Sequence, residues 1–188
     1  MPYLARALVF AASIAAAQAQ VPIVVPPPPL LPPATKLEGF AAPPGSVLTV
    51  GYDRLGGVQG VSVEVRTIQD AHGASASGLV IEVAEGPAHR EQSFVDADEI
   101  ADLIKGMDTV LAVNGNPTAF DNFEVRYATR GELEIAALST RAGGAVYAVQ
   151  AGRLVKAQRV GLSSGEMLKL RGLFDAGAQK LRLADAAR

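Results

Sequence analysis

Regular alternation of apolar and polar positions begins near residue 47. Segments 47–53 (VLTVGYD), 60–68 (GVSVEVRTI) and 78–84 (GLVIEVA) are rich in β-branched residues and bounded by glycine clusters, the pattern of short strands joined by turns. In the second segment Val61, Val63 and Val65 share one face while Ser62, Glu64 and Arg66 share the other. That arrangement predicts one buried and one solvated surface, as antiparallel sheets commonly have. A shorter strand is expected at 90–95. The period then changes: Ile100, Leu103, Ile104, Met107 and Leu111 recur at steps of three and four, which places them on one face of a helix. Asp96 followed by Glu99 predicts a capping box, in which a side-chain oxygen and a reciprocal carboxylate satisfy the free amides of the helix start.

The second half repeats this plan. Residues 122–128 (NFEVRYA) and 132–139 (ELEIAALS) alternate around Thr129-Arg130-Gly131 and read as a hairpin, with Phe123, Val125 and Tyr127 facing Leu133 and Ile135. Strands are expected at 144–151 and 155–161. A helix follows from Ser164 to about Arg182, with Met167, Leu170, Phe174 and Leu181 along its apolar stripe and a second capping box at Ser163 and Glu166. The segments DADEIADLIKGM (96–107) and SSGEMLKLRGLF (163–174) match at the cap, at the following acid and at three apolar positions. The expected fold class is α+β: two tandem ββββα units, antiparallel strands each followed by a capped amphipathic helix, forming one compact domain. In layout, the two successive units and the strand-to-helix segment GLSSGEMLKLRGLF resemble the Whirly-type single-strand nucleic-acid binders. The resemblance implies a nucleic-acid ligand, but no contact residue of that family carries over to a position in this chain.

Ahead of the alternation lies a different composition. Arg6 is the one charge in the first six residues, an uninterrupted apolar stretch runs from Ala7 to Ala17, and Ala17-Gln18-Ala19 supplies small residues where a signal peptidase reads them. The stretch is too short for a bilayer-spanning helix, so it reads as a secretory signal peptide at residues 1–19, removed near Ala19. Val21 to Pro33 (VPIVVPPPPLLPP) excludes helix and interior strand through its locked φ angles and missing amide donors. It predicts an extended Pro-rich linker over 20–45, spanning roughly 3 Å per residue. A polyproline ligand for a partner's aromatic groove is the alternative. A single domain is expected over 46–188, with its repeats at about 46–113 and 120–183. No later run reaches transmembrane length, so no membrane anchor is expected in the mature chain.

Composition narrows the chemistry. The chain has no cysteine, so neither a disulfide framework nor a lipid-modified cysteine is available. Twelve arginines against five lysines, with abundant alanine and glycine, suggest a GC-rich bacterial genome and hence a periplasmic or extracellular location. Charge is divided unevenly: residues 36–113 carry 5 basic against 12 acidic side chains, net −7, and residues 114–188 carry 11 against 7, net +4. Such opposition reads as an ordinary solvated surface, an internal complement or self-association, the last with Arg153, Lys156 and Arg159 as the basic, candidate binding side. A net charge of −2 and the absence of tryptophan argue against a phosphate-backbone binder, which would here draw on Arg126, Arg153, Lys156 and Arg159.

No catalytic residue, metal ligand set or cofactor site is singled out by the sequence. The serines of Gly73-Ala-Ser75-Ala-Ser77-Gly78 lack the glycine spacing of a nucleophile turn and read as a loop. His72 and His89 stand in expected connections, with Asp70 and Glu91 the acids that could join them in a hydrolase-type site. Asp96, Asp98, Glu99 and Asp102 read as acids complementing a helix start, not as an EF-hand. Gly56-Gly57 and Gly143-Gly144 fall between expected strands and read as turn glycines, not as a phosphate loop. The leading expectation is therefore an exported, non-enzymatic module that binds an envelope component or itself through a sheet face or strand edge.

Overall fold

The computed structural model describes residues 32–41, 43–86, 88–113, 117–140, 144–153 and 157–187. The signal-like segment, the Pro-rich stretch up to Leu31, Gly143 and Lys156 lie outside these. Four antiparallel strands come first: β1 (Leu48–Val58), β2 (Val61–Asp70), β3 (Ser75–Ala84) and β4 (Arg90–Asp96). A 3₁₀ turn at Ala97–Glu99 leads into α1 (Ile100–Leu111). A second antiparallel set, β5 (Glu124–Ala128), β6 (Glu134–Ser139), β7 (Ala145–Ala151) and β8 (Gln158–Leu162), is followed by α2 (Ser164–Ala186). The protein is thus α+β, with two four-stranded sheets, each in sequential strand order. No helix among the described residues is long and apolar enough to cross a membrane.

Alternation sets the inner faces. Val61, Val63, Val65, Leu79, Ile81 and Val83 of the first sheet are buried, and so are Ile135, Ala137 and Val149 of the second. β3 lies against β7 and β8, so these faces share one core. The helices close that core crosswise: α1 follows the first sheet but packs on β5 and β6 of the second, whereas α2 follows the second sheet and crosses β1, β2 and β3 of the first. Ile100, Leu103, Met107 and Val110 point inward from α1, and Met167, Leu170, Phe174 and Leu181 from α2.

Several local expectations are corrected. Ser163 and Glu166 form their capping box, the serine oxygen accepting from the Glu166 amide at 3.3 Å and the serine amide donating to Glu166 Oε2 at 2.8 Å. Asp96 and Glu99 do not form one, because both carboxylates are engaged with other segments. Gly56 and Gly57 lie inside β1, at a register shift between Arg54 and Gly56. The turn comes later, at Gln59 and Gly60, whose positive φ angles of 43° and 81° suit a tight two-residue hairpin. Ser75 and Ser77, expected in a loop, pair with Gln69 and Thr67 as part of β3.

The segment expected as extended up to residue 45 also departs from that form. A turn at 35–39 packs back on the outer face of the first sheet, with Leu37 only 2 % exposed. Leu37 and Phe40 sit on Ala76, Val80, Ile68 and Phe94, a second apolar cluster on the face opposite the main core.

Candidate functional site

The basic residues singled out by the sequence do not form a free cationic surface among the described residues. Arg153, just past β7, donates to the Pro32 carbonyl at 2.7 Å and to Glu38 Oε2 at 2.8 Å, and lies 3.6 Å from Glu132. It clasps the N-terminal turn onto the domain. Arg159 on β8 donates to Glu124 at 3.2 Å, and Arg126 pairs with Glu124 and Glu134. Lys156 lies outside the described residues. An outward face of alternating, paired charges offers a phosphate chain little net attraction, since counterion release scales with the phosphates neutralised.

The acids near α1 serve the same attachment. Asp96 accepts the backbone amides of Lys36 and Leu37, each at 2.9 Å. Glu99 accepts the Arg130 amide at 2.7 Å and its Nε at 3.2 Å, and Arg130 Nη2 reaches Asp98 at 2.5 Å. Hydrogen bonds from Arg130 and then Lys36 hold the Asp98 carboxyl below the usual carboxylate range. Burial, with the charges of Glu99 and Asp102, raises the Tyr127 phenol nearby. The N-terminal turn, the start of α1 and the β5–β6 turn are thereby tied at one point.

The histidines are far apart. His72 lies in the β2–β3 turn and His89 in the β3–β4 connection, at opposite ends of the ten-residue strand β3, roughly 30 Å at the usual strand rise. Asp70 accepts the amides of His72 and Ala74 at 2.9 Å and so shapes its own turn. The grouping of His72, His89, Asp70 and Glu91 into one site is therefore overturned. Among the described residues no cluster of three or more His, Asp or Glu side chains comes together that could hold a metal ion. The recess between the helices, lined by Ile100, Ile104, Asp175, Ala178 and Leu181, encloses about 260 Å³, below the usual range for small-molecule sites.

What the fold leaves open is the edge of β1. At eleven residues it is about twice the usual strand length, and among the described residues it pairs only with β2. Its inner side is covered by α2 from Asp53 onward, where Lys180 pairs with Asp53 and Leu173 approaches Gly56. Residues 47–52 extend past that cover and carry no charge. Leu48, Val50 and Tyr52 stand on the outer face opposite Asp70, Ile68 and Arg66, with Val50 44 % and Tyr52 72 % exposed.

The other edges are shielded. Along β4 the amide of Gly152 donates to Ser93 Oγ, and Gly131 lies hard against the Phe94 carbonyl. β5 and β8 are five residues each and place Glu124, Arg126 and Arg159 on their outward sides. Short, charged edges resist strand addition; a long apolar one invites it. The sequence marked 47–53 as a strand, and its uncharged run VLTVGY was the available signal, but nothing in it said that this strand would be terminal in its sheet. No family model, no curated protein and no solved structure matches the chain.

Proposed function

We propose that the chain is an exported, non-enzymatic binding module that holds an extended partner segment along β1. The observation that carries this reading is the terminal position of β1, which among the described residues has a strand partner on one side only, with Leu48, Val50 and Tyr52 exposed along it. An added strand would gain main-chain hydrogen bonds from the edge and side-chain packing from that stripe. Export rests on the n-region, apolar stretch and cleavage residues of 1–19, and places the module in the periplasm or outside the cell.

The two ββββα halves are read as a duplicated element closing over a common core. That origin is supported by the element order and by the matching segments 96–107 and 163–174.

The test is retention of an extended partner, an envelope component or a tagged second copy of the chain, by the residue 20–188 protein and by its Tyr52→Lys variant. We expect the native protein to retain it and the variant to lose at least tenfold in affinity, with thermal stability unchanged. Equal retention by both proteins would remove β1 from the site, and reproducible turnover of an envelope polymer would sink the non-enzymatic reading. Amino-terminal sequencing of exported material should begin at Gln20.

A further inference from the structure

We infer that the extended segment received by β1 is β1 of a second copy of this chain, paired antiparallel about a two-fold axis at Gly51. The inference rests on the strand-edge reading above and names its partner.

A homodimeric strand pair requires a strand complementary to its own reverse, and residues 48–54 meet that requirement. With Gly51 opposite Gly51, Val50 faces Tyr52 of the other copy, and the symmetry repeats this aromatic and β-branched pair twice on the outer face. Leu48 falls opposite Arg54, whose aliphatic stem can cover it, and Thr49 falls opposite Asp53. No like charges meet. Moving the axis to Asp53 would set two carboxylates directly against each other, so the charges at 53 and 54 limit how far the register can slide.

Gly51 supplies a second, independent observation. Glycine in a strand interior weakens it, and commonly marks a bulge or the close approach of another backbone. Among the described residues neither a bulge nor packing accounts for it: the register shift lies further on, between Arg54 and Gly56, and a Cβ built at Gly51 meets nothing within 4 Å. The position is therefore free of internal constraint at the middle of the one long, apolar edge. Seven residues from each copy make a small interface, so the dimer should be weak, with a dissociation constant on the order of 10 µM.

The symmetry makes residue 51 its own neighbour, which gives a specific test on the residue 20–188 protein. Sedimentation of the native protein should show a monomer at low concentration and twice the monomer mass near ~100 µM. Gly51→Lys and Gly51→Glu should each remain monomeric, because like charges would face each other across the axis. Their equimolar mixture should recover the dimer. The open space at this position lets both variants keep the fold, which thermal melting checks directly.

Since the chain contains no cysteine, Gly51→Cys offers a positional probe. Directly opposed residues have Cα atoms within disulfide range, so this variant should cross-link on oxidation, whereas Val146→Cys, exposed on the other sheet, should not. A native protein monomeric at every concentration, or single charge variants that dimerise as it does, would overturn self-pairing. The strand-edge reading fails separately, when Tyr52→Lys leaves envelope binding and self-association alike intact.

Discussion

Close approach decides what single residues can be. Gly106 in α1 faces Tyr127 so closely that a Cβ would lie 2.3 Å from its ring. Alanine there gains about 1 kcal/mol of helix propensity, but overpacking typically costs 1–3 kcal/mol. Because Tyr127 also packs against the core cluster, its ring has little room to yield. Gly106→Ala should therefore lower stability by about 1 kcal/mol, read as a fall in the denaturant midpoint without a change of slope. Asp98 gives a pH-dependent counterpart. Arg130 and Lys36 depress its folded pKa, so its contribution is present above the unfolded value near 4 and is lost as acid protonates it. Asp98→Asn should make the decline of stability below about pH 4 slightly shallower, while the depressed carboxyls of Asp108 and Glu166 still titrate. The effect should be small, because the side chain is half exposed and the pairs are solvent-screened.

Among the elements, those defined by periodicity could be read from the sequence, and those defined by long-range partners could not. The alternation of 60–68 and the three-and-four spacing from Ile100 to Met107 match β2 and α1 because burial on one face imposes those periods directly. Asp96-x-x-Glu99 has the spacing of a capping box, yet both acids bind groups distant in sequence, Lys36 and Leu37 in one case and Arg130 in the other. Local spacing cannot reveal such competitors. The N-terminal turn was hidden in the same way: prolines on either side suggest an extended chain, while Leu37 finds a pocket made by residues some thirty to sixty positions away. That pocket makes the turn part of the folded domain. Leu37→Ala should cost about 2–4 kcal/mol and expose the segment before residue 41 to early proteolysis. Arg153→Ala should expose the same segment with a smaller loss of global stability, since it removes the clasp and leaves the apolar contact. Unchanged cleavage in both variants would mean that the turn is held by something else.

On the scale of the whole molecule, the crosswise placement of the helices determines how the fold can be divided. The apolar stripes of α1 and α2 are visible in the sequence, but a stripe does not specify which sheet will cover it; the simplest expectation is each helix on its own four strands. Instead α1 completes the second sheet and α2 the first, and Arg171 on α2 pairs with Asp108 on α1 where the helices meet. Cutting between the halves would therefore strip each sheet of the helix that buries its inner face, while leaving each half attached to a helix with nothing to cover. A chain ending at Val113 should lack cooperative unfolding, because Val61, Val63, Leu79 and Ile81 would lose Phe174 and Leu181 from their shared cluster. A chain beginning at Pro117 should fail likewise without Leu103 and Met107. Mixed in equal amounts, the two should restore one cooperative transition and the native far-ultraviolet spectrum, since the helix-to-sheet contacts that close the core run between them. Independent folding of either half would show that a helix can return to its own sheet, and the exchange would then be one of two accessible packings.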